Sequence, residues 1–121
     1  MEEKKTLVLG ASENPDRYAN KAIRSLRSKG HPVIAVGLRA GKVLDVPIIT
    51  DRPEMEDIDT VTLYLSSKNQ KQYYDYIVSL HPKRIIYNPG AENAELEALA
   101  TKNNIENMEA CTLVLLATGQ F

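Results

Sequence analysis

Leu7-Val8-Leu9-Gly10-Ala11-Ser12-Glu13-Asn14-Pro15 is the stretch that decides the fold. A short apolar run stops at Gly10, passes through small and polar residues, and gives way to Ala19, Ala22, Ile23 and Leu26 at helical spacing. That is the strand, loop and helix opening of a nucleotide-binding α/β domain. Amides at the start of such a helix lack intrahelical acceptors and carry partial positive charge, which suits phosphate. The loop therefore predicts a phosphate-bearing ligand without naming it.

Outward from this stretch, apolar runs alternate with helical patterns. Strands are expected at Lys5 to Gly10, Val33 to Val36, Thr60 to Leu65, Arg84 to Tyr87 and Asn107 to Ala110, with a minor strand at Val46 to Ile49 inside an irregular segment from Gly37 to Asp51. Helices are expected from about Tyr18 to Lys29, Lys68 to Leu80 and Ala94 to Lys102. Leu113 to Leu116 reads as a short helix or an edge cover. Strands separated by helix-length segments imply right-handed βαβ units. The expected fold is a single α/β domain, residues 1–121, Rossmann-like and doubly wound, with a parallel sheet of about five strands and helices on both faces.

In such sheets ligands bind beyond the carboxyl ends of the strands, so the residues just after each strand are the candidates. In the first loop only Gly10 matches the three-glycine dinucleotide fingerprint. Ser12 and Asn14 add side-chain donors there, and Arg17 or Lys21 supplies positive charge for a diphosphate. The competing reading is a plain turn in which Asn14 or Asp16 caps the helix. After strand two an NAD-binding domain would carry an acid for the ribose hydroxyls, whereas this chain has Gly37-Leu38-Arg39 with Lys42 close behind. Cations there favour a ribose bearing an extra phosphate, as in NADP or coenzyme A, although an exposed basic pair is also an ordinary solvated feature. Leu65 and Ser66 could flank an adenine ring, or Ser66 or Ser67 could simply be an N-cap. Asn88-Pro89-Gly90 is a turn that brings backbone close to the cleft.

Other residues read as structural. His31 and His81 both precede prolines just before strands, at the opposite end of the sheet, and are expected to be surface turn residues. Cys111 follows the last strand with no histidine near it in the chain, and a small buried thiol is the safer assignment. No acid pair, metal-ligand cluster or Ser-His-Asp arrangement is evident. Hydrophobic residues make up 43% and charged residues 26%, ordinary for a globular domain, and a net charge of −1 gives no broad case for nucleic acid. One cysteine excludes an internal disulfide. The charged N-terminus and the short apolar runs predict neither a signal peptide nor a membrane span, so a cytoplasmic location is expected.

Taken in order, Val8-Leu9-Gly10-Ala11-Ser12 with Pro15, the basic loop after strand two, Asn88-Pro89-Gly90 with an acidic helix behind it, and Cys111 resemble the stand-alone CoA-binding domain family. This Rossmann-type module also forms the N-terminal domain of the succinyl-CoA synthetase α subunit. The resemblance implies CoA in an extended pose, with its diphosphate on Gly10, Ala11, Ser12 and the helix beginning near Arg17 and Tyr18. It further implies the adenosine 3′-phosphate near Gly37, Arg39 and Lys42, adenine beside Leu65 and Ser66, and pantetheine toward Asn88, Pro89, Gly90 and Cys111. The expectation is a small cytosolic protein that binds CoA or an acyl-CoA without evident catalytic residues, with room for a homo-oligomer or a partner subunit. Two alternatives stand beside it: an NADP-linked or acyl-transfer enzyme using Cys111 or a partner subunit, and a degenerate Rossmann domain serving as an interaction module.

Overall fold

The computed structural model of the chain describes residues 2–121. In chain order the elements are β1 (Thr6–Leu9), α1 (Tyr18–Ser28), β2 (Val33–Val36), β3 (Gly41–Val43), β4 (Val46–Ile49), β5 (Thr60–Leu63), α2 (Ser67–Gln70), α3 (Tyr74–Leu80), β6 (Arg84–Tyr87), α4 (Ala94–Lys102), β7 (Glu106–Glu109) and α5 (Thr112–Ala117). A 3₁₀ turn, Lys71–Tyr73, joins α2 to α3, so the single helix expected from Lys68 to Leu80 is a broken one.

One seven-stranded sheet runs in the order β3-β4-β2-β1-β5-β6-β7. All pairings are parallel except β3 with β4, so the sheet has seven strands where about five were expected. The two additional strands, β3 and the minor strand expected at Val46 to Ile49, come from the segment Gly37 to Asp51. There Val43 pairs with Val46 across a two-residue turn, and Leu44 takes φ 54°. Glycine, asparagine or aspartate normally marks such a left-handed position, so a leucine there hides the hairpin from sequence. A bidentate contact from Arg27 at the end of α1 to Asp45 fixes the turn from outside, at 3.1 and 2.8 Å.

Every residue of β1, β5 and β6 is buried, which explains why these strands read as continuous runs and not as alternating ones. Successive side chains of β1 serve different layers. Leu7 and Leu9 pack with Tyr76, Ile77, Leu96 and Ala100 from α3 and α4, whereas Val8 packs with Ala19, Ile23 and Leu26 from α1 and Leu116 from α5. Helices therefore cover both faces, and Leu113 to Leu116 belongs to the helix that completes the α1 side.

One expected surface residue is interior. His31 has no exposed area, accepts the Lys4 backbone N–H on Nδ1 at 3.0 Å, and lies 5.0 Å centroid to centroid from the buried Phe121 ring. Phe121 in turn carries the Arg84 guanidinium 4.5 Å above its ring. This cluster closes the amino end of the sheet, a role that the His31-Pro32 turn chemistry does not reveal. His81, by contrast, is exposed and ends α3 in the left-handed conformation. No helix among the described residues is long and apolar enough to cross a membrane.

Candidate functional site

Strand order reverses at β1: the chain passes through α1 to β2 on one side and later returns as β5 on the other. Helices on opposite faces then diverge and leave a crevice at the carboxyl ends of the strands. A cleft of about 930 Å³ lies there, walled by Gly10 to Asn14, Asp16 to Ala19, Leu38 to Ala40, Tyr64 to Ser66 with Asn69, and Pro89 to Ala91. Four loops, each following a parallel strand, thus meet at one place.

The floor of the cleft depends on two glycines. Gly10 adopts φ +92°, and a Cβ on it would lie 2.7 Å from the Tyr64 carbonyl oxygen. Gly37 lies behind the loop, where a Cβ would collide with the Ala11 carbonyl. The amides of Gly10 and Ala11 both donate to the Val36 carbonyl at 3.0 Å. They bind the loop to β2, so both amides already have an acceptor within the protein. Within the loop Ser12 Oγ accepts the Asn14 amide at 3.1 Å and Asn14 Oδ1 accepts the Asp16 amide at 3.0 Å. The buried Asn20 donates to the Ser12 carbonyl at 3.0 Å and ties the loop to α1.

Neither Asn14 nor Asp16 caps α1. The N-cap position is Arg17, without a side-chain capping bond, and the first helical amide with an acceptor is that of Lys21, donating to Arg17. The backbone donors at the cleft are therefore the amides of Tyr18 and Ala19 in the first helical turn, beside Arg17. No acidic residue lies in that first turn.

Beneath the cleft runs a buried polar network. Asn88 donates to Thr62 Oγ1 at 2.7 Å and to the Leu63 carbonyl at 2.9 Å, and accepts the Thr112 amide at 2.9 Å. Thr62 and Thr112 share a hydroxyl–hydroxyl bond of 2.8 Å. Tyr64 lines the cleft while its hydroxyl is buried with no hydrogen bond of normal geometry. Burial pushes that phenol up to about 12, and the neighbouring Thr112 and Thr62 hydroxyls oppose the rise. A second hollow of about 180 Å³ contains Cys111, Tyr87, Glu92, Glu109 and Ala110, and shares Pro89 with the main cleft.

The family described as CoA binding domain matches residues 4–117. The chain belongs to that family. An uncharacterized protein of known crystal structure is 50% identical to this CoA binding domain over the full length of both chains, with a TM-score of 0.97. Cell-free ID.343 from Thermus thermophilus shares the fold at 20% identity, with a TM-score of 0.84 over 98% of this chain and 91% of its own. A dinucleotide-forming acetyl-coenzyme A synthetase 1 from Ca. Korarchaeum cryptofilum, in complex with phosphate and ADP, matches at 17% identity and a TM-score of 0.72, over 88% of this chain and 25% of that one. Curated proteins give no match.

For a CoA binding domain the sequence candidates divide into three groups. Gly10, Ala11, Ser12, Asn14, Arg17, Tyr18, Arg39, Leu65, Ser66, Pro89 and Gly90 all line the main cleft. Cys111, half-buried, lines the smaller hollow next to it. Lys21, Gly37, Lys42 and Asn88 line neither. Lys21 places its ammonium 5.3 Å from the Tyr18 ring centroid, and Lys42 is an exposed residue of β3. Asn88 is 3% exposed, with its side chain consumed by the network below the cleft. Glu13, Leu38 and Asn69 line the cleft without having been given a role from sequence, and Tyr64 lines it beside Leu65 and Ser66, in the strand-end group expected to flank a base. Their signal is positional only: Leu38 lies two residues past β2, Tyr64 follows β5 directly, and Asn69 lies three residues past Ser66 on α2.

Proposed function

We propose that the protein reversibly binds coenzyme A or an acyl-CoA in the cleft at the β1/β5 switch point. The observation that carries this reading is the uncapped amino end of α1 opening, with Arg17, into that cleft of a CoA binding domain. Two backbone donors, the helix dipole and a guanidinium form a receptor for a diphosphate. Arg39, on the β2 side, faces the adenosine end, where the exposed Leu38 and Tyr18 offer apolar area for a base. Leu65 and Ser66 form the opposite wall, and Pro89-Gly90 leads the pantetheine arm toward the hollow holding Cys111. The reaction assigned is capture and release, with no covalent step.

Thermal denaturation with CoA, acetyl-CoA, dephospho-CoA, NAD and NADP tests the assignment. A ligand at about 100 times its Kd adds about 2.7 kcal/mol to folding stability. For a domain of 121 residues that is a rise in Tm of about 10 °C. CoA or its thioester should give the largest rise. A larger rise with NADP than with CoA, or none with any CoA species, would overturn the reading.

A further inference from the structure

We propose that Glu13 is a specificity-determining residue that offsets the preference of the adenosine end for a phosphorylated ribose. The inference rests on the CoA reading above and concerns which form of that ligand the cleft favours.

Glu13 lies on the β1–α1 loop, but its side chain crosses to the β2 side of the cleft. Its Oε2 accepts the backbone N–H of Lys42 at 2.9 Å. Its Oε1 occupies the space above Gly41, where a Cβ would come within 2.6 Å of it. Position 41 thus has room for the carboxylate because it carries no side chain. Two separate features, a donor on β3 and a bare backbone beside it, hold the charge in one place on the cleft wall, next to Leu38, Arg39 and Ala40.

That wall is where a Rossmann domain meets the ribose. The acid that accepts ribose hydroxyls ordinarily comes from the end of the second strand. Here that strand ends in Gly37-Leu38-Arg39, and the carboxylate arrives from the neighbouring loop instead. An anchored carboxylate accepts hydrogen bonds from hydroxyls and repels phosphate, whereas Arg39 attracts phosphate. Lys42 does not line the cleft, and Arg17 lies at the α1 end, so on the β2 side the lining charges are Arg39 and Glu13. At this wall the Glu13 carboxylate offsets Arg39, and a 3′-phosphate gains less there than the basic loop alone would imply.

Calorimetric titration of CoA and dephospho-CoA into the wild type, Glu13→Gln and Gly41→Ala tests this. Glu13→Gln should raise the CoA over dephospho-CoA affinity ratio about threefold or more, the scale of one partly exposed charge pair. Gly41→Ala should move the ratio the same way, because its methyl displaces the carboxylate without changing the net charge. An unchanged or lowered ratio in Glu13→Gln, with both ligands still binding, overturns the role of Glu13 and leaves the CoA reading standing. A wild type that binds neither ligand overturns both.

Discussion

Replacing Gly10 by alanine perturbs the fold and the candidate site together. The new Cβ would sit 2.7 Å from the Tyr64 carbonyl oxygen and 3.1 Å from Leu65 Cδ2, whereas ordinary contact begins at 3.4 Å. The β1 loop and the end of β5 must therefore separate by roughly 0.7 Å. Gly10 also holds φ +92°, which disfavours any side chain by about 1–2 kcal/mol. Forcing a methyl into a packed contact adds about 1–3 kcal/mol. A combined loss near 3 kcal/mol is expected. At about 2.1 cal/mol/K per residue, the unfolding entropy of a 121-residue chain converts this to a fall in Tm of about 12 °C. Tyr64 and Leu65 form one wall of the cleft, so the displacement should also weaken CoA binding in calorimetry run well below the lowered Tm. A Tm within about 4 °C of wild type together with unchanged affinity would refute the claim that this glycine sets the loop against β5.

Arg39→Ala should weaken CoA about fivefold or more in calorimetry while Lys42→Ala stays within about twofold, because only Arg39 lines the cleft. Asn88→Ala should cost about 3 kcal/mol, since it strands the Thr112 N–H in the interior and removes a donor from both the Leu63 carbonyl and the Thr62 hydroxyl. Thermal melting should show the loss, and amide exchange should speed up first over Thr112–Ala117. His31 is held below its usual 6.5, chiefly by burial and then by Lys4 and Arg84, with Glu3 and Asp59 opposing. Its folded pKa is depressed, so the unfolded chain takes the proton first as pH falls. This contribution to stability is complete above about pH 7 and is lost on acidification through the folded pKa. The Tm of wild type should therefore drop more between about pH 7 and pH 5 than that of His31→Asn, and parallel curves would contradict it.

The α/β order, the parallel core and the end of the sheet at which the cleft lies were legible because local patterns encode them. Buried strands such as Val8-Leu9 and Ile85-Ile86 read as apolar runs, and the α1 stripe recurs at helical spacing. The β3–β4 hairpin was not legible, since its turn rests on a leucine at positive φ clamped by the distant Arg27–Asp45 pair. His31 was misjudged for a related reason: its burial comes from Phe121, Lys4 and Arg84, none of them a local neighbour.

Residue types and their spacing determined that a glycine would end β1 and that polar loops would gather beyond the strand ends. Only the tertiary structure decided which groups in those loops face the cleft. Val36 captures the Gly10 and Ala11 amides, the interior takes the Asn88 side chain, and Glu13 leaves its own loop to meet Lys42. Each of these partnerships joins segments far apart along the chain. Side-chain direction there follows from packing and hydrogen-bond satisfaction across the sheet, which a linear pattern does not carry.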